Sequence, residues 1–132
     1  MSVFVDTSAW FAAVNRKDKD HARAAESDLV TSDFVLVETW LLIKNRMDPA
    51  TAAKFWAGIR TGFVKLEKVS DSDLDLAWHA TQRFADQAFS LVDASSFIVM
   101  ERLGLTRAMS FDNDFVIYRF GSNKDRAFEV LR

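Results

Sequence analysis

Strand and helix signatures alternate along this chain, and that alternation predicts an α/β domain whose parallel sheet is covered on both faces. Apolar runs of β-preferring residues such as Val3-Phe-Val5 are short and unbroken, as strands buried on both sides require. Between such runs lie stretches with helical spacing and recognisable start signals. Only 4 Gly and 1 Pro occur in 132 residues, which argues against disorder and against an all-β chain full of tight turns.

Val3 to Val5 forms the first strand and ends at Asp6. Thr7 and Ser8 open a helix over Ala9 to Val14 that stops near Asn15. Lys17 to Asp20 reads as a solvated link, with Asp20 capping a helical segment from His21 to Glu26. Leu29 to Thr31 is a second strand. Asp33 caps a strongly apolar helix from Phe34 to about Lys44. Asp48-Pro49 starts the next helix, with Asp as cap and Pro in the first turn; it carries Phe55, Trp56 and Ile59 and ends near Gly62. Phe63 to Val69 alternates apolar and charged residues like a half-exposed strand.

Ser70 to Asp73 begins another helix, with Leu74, Ala77, Trp78, Thr81 and Phe84-Ala85 on one face. Asp93 starts a helix to Leu103, closed by Gly104. Phe111 to Phe115 is a turn or short helix, and Val116 to Phe120 and Ala127 to Leu131 are late strands. No repeat or linker divides the chain, so residues 1–132 read as a single domain.

A hydrophobic fraction of 49%, with 12 Phe and 4 Trp, supplies a full core. No apolar stretch approaches the ~20 residues that span a bilayer. The run from Met1 to Asp6 lacks the basic region of a signal peptide. Zero Cys excludes disulfides and thiolate metal sites and fits a reducing cytoplasm. Two His are too few for an imidazole-rich zinc site, and His21 and His79 read as surface or packing residues. Trp10, Trp40, Trp56 and Trp78 read as core.

Four acids stand in apolar runs, where an ionised carboxylate must be paired, protonated or bound to a cation. Asp6 follows Val-Phe-Val, Glu38 lies within Phe34 to Ile43, Asp93 follows Leu91-Val, and Asp112 follows Met109-Ser-Phe. Each has a plain structural reading as well. Asp6 and Asp93 are at helix starts and can be caps. Glu38, which shares its projected face with Phe34, Leu41 and Leu42, can pair with an arginine. Asp112 can belong to an Asx-type turn, with Asp114 as the alternate ligand candidate there. Gathered in one pocket, the four would repel one another without a hard divalent cation, and Mg²⁺ or Mn²⁺ takes oxygen ligands of this kind. Setting four of the 19 acids aside leaves 15 against 17 bases, so a metal-filled site can meet a phosphate backbone without strong repulsion.

Val5-Asp-Thr-Ser8, Glu38 in its apolar helix, Leu91-Val-Asp-Ala-Ser-Ser-Phe97 and Ser110-Phe-Asp-Asn-Asp-Phe115 together resemble the PIN-domain ribonucleases. The likeness spans nearly the whole chain and is greatest to the VapC-type toxins of bacterial toxin–antitoxin pairs. It implies a three-layer α/β/α domain with a central parallel sheet. It implies metal and catalytic positions at Asp6, Glu38, Asp93 and Asp112, with Ser8 and Asp114 in supporting places. It further implies a homodimer and a cognate antitoxin whose C-terminal segment covers the acidic cleft. The function expected is hydrolysis of RNA phosphodiesters, in single-stranded or structured RNA, with one or two Mg²⁺ or Mn²⁺ ions. In two-metal sites the ions lie about 4 Å apart, one activating water and one stabilising the leaving oxygen. The competing expectation is a non-catalytic interaction module on the same fold, whose acidic cleft binds a basic partner peptide.

Overall fold

The structure is a computed structural model and describes residues 2–15 and 28–132. The segment expected to form a link and an Asp20-capped helix lies outside the described residues. Five strands form one parallel sheet in the order β3-β2-β1-β4-β7: β1 (Ser2–Val5), β2 (Asp28–Ser32), β3 (Val64–Glu67), β4 (Arg107–Met109) and β7 (Glu129–Leu131). The helices α1 (Thr7–Asn15), α2 (Asp33–Arg46), α3 (Pro49–Ile59), α4 (Asp71–Arg83) and α5 (Leu91–Leu103) flank it, giving the three-layer α/β/α arrangement. A 3-10 turn (Ala85–Gln87), a short α6 (Asp114–Ile117) and a small antiparallel pair, β5 (Arg119–Phe120) with β6 (Arg126–Ala127), complete the elements among the described residues.

The strand order positions everything that follows. From β1 the chain steps outward through β2 to β3, then crosses back to lay β4 on the other side of β1. The reversal makes β1 and β4 a switch point, where the carboxyl ends of parallel strands leave a crevice for a ligand. Val3, Phe4 and Val5 are all buried, as a central strand covered on both faces demands. The ladder runs past both strand ends: Asp6 donates its N–H to Met109 O at 3.1 Å, and Ser110 donates to Leu131 O at 3.1 Å.

Several local expectations need correction. Ser32, not Asp33, caps α2 by accepting the Val35 N–H at 3.1 Å. Asp33 instead takes the N–H groups of Phe34 and Val69, tying α2 to the end of β3. Ser90, not Asp93, caps α5, and its hydroxyl accepts the Asp93 N–H at 3.0 Å. These two hydroxyls thus do the capping expected of carboxylates, since a short hydroxyl side chain meets the N3 amide equally well. The late strand expected over Val116 to Phe120 is helical at Val116 and Ile117 and extended only at Arg119–Phe120. Ala127 to Leu131 breaks into β6 and β7, which pair with different neighbours.

Trp10 is buried, but Trp78 is 58% exposed, and Trp56 is exposed too. On α4 the buried residues are Asp73, Ala77 and Ala80, so small side chains let that helix approach α5 closely. The Asp48 cap of α3, the Ser70–Asp73 capping box of α4 and the left-handed Gly104 (φ 70°) after α5 agree with the sequence reading. Asp73 also receives Arg102 in a forked pair, with Nε and Nη2 at 3.0–3.2 Å from its two oxygens.

The core beside α5 is largely aromatic. Phe97 stacks on Tyr118 with centroids 4.3 Å apart and meets Phe115 edge-on at 4.9 Å. Phe97 is one helical turn beyond Asp93, and Phe115 directly follows Asp114. That ring contact therefore fixes the helix bearing Asp93 against the turn bearing Asp112.

Candidate active site

Three of the four expected acids meet at the switch point. Asp6, Asp93 and Asp112 each offer a carboxylate oxygen, and the three oxygens lie within 4.8 Å of one another. They come from three separate elements: the end of β1, the first turn of α5, and the loop between β4 and α6. Asp6 is 1% exposed and Asp93 6%, while Asp112 is half-buried.

The hydrogen bonds around Asp6 are one-sided. Ser8 Oγ donates to Asp6 Oδ2 at 2.8 Å, Ser110 Oγ donates to the same oxygen at 2.9 Å, and the Ser8 N–H approaches it at 3.4 Å. Each hydroxyl also accepts a backbone amide from the β4–α6 loop, Ser8 from Phe111 and Ser110 from Asp112, both at 2.9 Å. Asp6 Oδ1 is buried and has no hydrogen-bond partner among the described residues. Asp112 Oδ1 accepts the Asp114 N–H at 2.9 Å, so the expected Asx-type turn is present and shapes the loop.

Ser110, fully buried and donating to Asp6, is a contact of the cluster that sequence reasoning passed over. Its signal was a hydroxyl at a strand end, two residues before an acid, where an apolar residue would otherwise continue the core. Asp6 does occupy the start of α1, its C=O accepting from Ala9 and Trp10, so the capping reading holds for its backbone while its side chain belongs to the cluster.

Electrostatics favour a cation. Burial, then the neighbouring Asp6 and the Asp112 and Asp114 carboxyls, push the Asp93 pKa up to about 10. Burial also raises Asp6, against the pull of the two serine hydroxyls. Asp114 is raised mainly by burial as well. Without a cation such a cluster holds protons, because adjacent carboxylates cannot all ionise in a dry site. Among the described residues the donor set is all oxygen, without imidazole or thiolate, and one buried oxygen has no hydrogen-bond partner. Those are the properties of a hard divalent-cation site.

Glu38 and Asp114 stand outside the tight group of three. Glu38 is half-buried on α2, in one row with Leu42 and Arg46 at four-residue spacing. The buried face of that helix is Val35, Leu36, Thr39 and Ile43, so the Glu38 row is a separate face. No arginine pairs with Glu38 among the described residues.

A β1–β4 switch point carrying clustered carboxylates on a five-stranded parallel sheet defines a class of metal-site α/β domains, and comparison places the chain within it. Residues 3–121 match the PIN domain, and the chain belongs to that family. Over 119 residues it is 35% identical to the 23S rRNA-specific endonuclease VapC20 of Mycobacterium tuberculosis, covering 86% of this chain and 91% of that protein. The crystal structure of M. tuberculosis VapC20, described as a sarcin-ricin loop cleaving toxin, superposes with a TM-score of 0.76 over 85% of this chain and 91% of its own. A toxin-antitoxin complex from Klebsiella pneumoniae shares the fold at 10% identity, with a TM-score of 0.66 over 98% of this chain and 96% of its own.

Proposed function

We infer that this chain is a metal-dependent endoribonuclease, the toxin of a toxin–antitoxin pair, that cleaves structured ribosomal RNA. One observation carries the reading: in a chain 35% identical to a 23S rRNA-specific endonuclease, three buried or half-buried carboxylates converge while Asp6 Oδ1 is left without a partner. Asp6, Asp93 and Asp112 would hold Mg²⁺ or Mn²⁺, with Glu38 reaching in from α2 and Asp114 positioning the Asp112 loop. When bound, such an ion supplies a Lewis acid for the phosphodiester and lowers the pKa of water.

The chain's own residues do the rest. Ser8 and Ser110 both donate to Asp6 Oδ2, which leaves the buried Oδ1 for a cation. The same hydroxyls hold the Phe111 and Asp112 amides, which fixes the loop carrying the third acid. Burial around Asp6 and Asp93 excludes water and strengthens each charge interaction at the phosphate. A cytoplasmic homodimer with an antitoxin partner completes the reading. Its support is the likeness to the VapC20 toxin. No helix among the described residues is long and apolar enough to cross a membrane.

The deciding experiment incubates the chain with 23S rRNA, a sarcin–ricin hairpin and single-stranded DNA, with Mg²⁺, Mn²⁺ or EDTA, and maps the ends. Cleavage confined to RNA, abolished by EDTA and by Asp6→Asn, is expected. RNA left intact with either ion would return the interaction-module alternative.

A further inference from the structure

A cavity of about 440 Å³ adjoins the carboxylates, lined by Ser8, Phe11, Ala12, Asn15, Leu42, Arg46 and Phe111. One wall is α1, the other Leu42 and Arg46 of α2, and Ser8 joins Phe111 to Asp6 through its hydroxyl. Between Ser8 and Asn15 the α1 wall advances about 10 Å at 1.5 Å per residue, long enough for a dinucleotide.

We propose that this cavity seats the RNA strand flanking the scissile phosphate, with Phe111 stacking on a base and Arg46 holding a backbone phosphate. The proposal rests on the nuclease reading above. Phe111 is 43% exposed, and its ring meets no other aromatic ring among the described residues. Its backbone is nonetheless pinned by the hydrogen bond to Ser8 Oγ, so the ring is an anchored platform at the mouth of the site. Exposed aromatics of this kind accept any base by stacking. Arg46 is exposed and has no ion pair or hydrogen bond among the described residues. An exposed guanidinium in the lining of a cleft that Ser8 links to the three acids gives the substrate's negative backbone an attractive contact beside the metal site. Charge complementarity and continuity with the carboxylates through Ser8 both select a nucleic-acid strand.

The test measures binding of a fluorescein-labelled sarcin–ricin hairpin RNA by anisotropy, in Mg²⁺ and at several salt concentrations, using the Asp93→Asn protein so that cleavage does not intervene. Arg46→Ala is expected to weaken binding about five- to tenfold and to lower the slope of log affinity against log salt by about 0.7. Phe111→Ala is expected to weaken binding by a similar factor with the slope unchanged. Arg46→Glu should be worse than Arg46→Ala, and Lys65→Ala, on the edge strand, should bind like its parent. Parental affinity in either Arg46→Ala or Phe111→Ala overturns the proposal, as does an equal loss in Lys65→Ala. Unchanged RNA binding with lost antitoxin capture by Arg46→Ala overturns it too and gives the cleft to a protein partner. Failure of the nuclease reading has a different signature, namely wild-type protein that leaves RNA intact.

Discussion

Ser110 Oγ lies 2.9 Å from Asp6 Oδ2, joining the end of β4 to the end of β1 across the switch point. The contact does two jobs, because the same hydroxyl accepts the Asp112 amide and so sets the distance between two acids that repel. Ser110→Ala should weaken Mn²⁺ binding and RNA cleavage about 10–100-fold, the usual effect of losing a group that orients a metal ligand. The fold should survive, since alanine fits a fully buried serine site. Calorimetric titration with Mn²⁺ beside a thermal melt checks this, and unchanged metal affinity would show that Ser8 alone positions Asp6.

Asp93→Asn should separate activity from stability. Removing a carboxylate that burial and Asp6 disfavour relieves strain in the metal-free protein, whose melting temperature should rise by about 3–10 °C at pH 8. Cleavage should fall by more than the loss of a supporting hydroxyl costs. A variant that is both less stable and less active would identify Asp93 as a structural residue.

The pH dependence has a definite sign. Asp93 is raised to about 10, Asp6 is raised too, and an unfolded aspartate titrates near 4. Between those values the folded state holds protons that the unfolded chain has released, so stability falls as pH rises. In EDTA the melting temperature should decline from pH 5 to pH 8, and Mg²⁺ or Mn²⁺ at pH 8 should restore it by displacing those protons. A flat profile in EDTA, matched by Asp93→Asn, would contradict the shift.

Much of this site could be read from the chain because its acids interrupt apolar runs, and such interruptions are costly enough to need a reason. Asp6 and Asp93 announced themselves in that way, and the Asx turn at Asp112 followed from Phe-Asp-Asn-Asp-Phe. What sequence could not show was which hydroxyl would cap which helix. Ser32 displaced its neighbour Asp33 from that role and Ser90 displaced Asp93 three residues on, because the cap is set by where the chain enters the helix, and a hydroxyl there meets the N3 amide as a carboxylate would. Trp78 was misplaced for a related reason. Its spacing fits a buried face, but close packing of Ala77 and Ala80 against α5 rotates the indole into solvent.

Arg102 and Asp73 give a control far from the chemistry. Burial raises the Asp73 pKa, but the forked Arg102 hydrogen bonds and Ser70 outweigh it and hold the carboxyl below its ordinary value. Asp73 is 2% exposed and Arg102 39%, so the pair is only half desolvated. Arg102→Ala should cost about 1–3 kcal/mol, less than breaking a fully buried pair, and leave metal affinity unaltered. Urea denaturation with a parallel Mn²⁺ titration measures both, and lost metal binding would mean that α4 and α5 set the Asp93 position.

Glu38 tests how far the cluster extends. It lies outside the three oxygens that meet within 4.8 Å, yet shares a row with Leu42 and Arg46, which line the cleft beside Ser8. Because it is half-buried and outside the group of three acids, Glu38→Gln should leave metal-free stability nearly unchanged, unlike Asp93→Asn. A carboxylate that joins only when a cation is present should still matter to activity, so metal-dependent cleavage should drop at least tenfold. Melting curves in EDTA and cleavage rates across a Mg²⁺ series distinguish the two contributions. Full activity at every Mg²⁺ concentration would restrict the metal site to Asp6, Asp93 and Asp112.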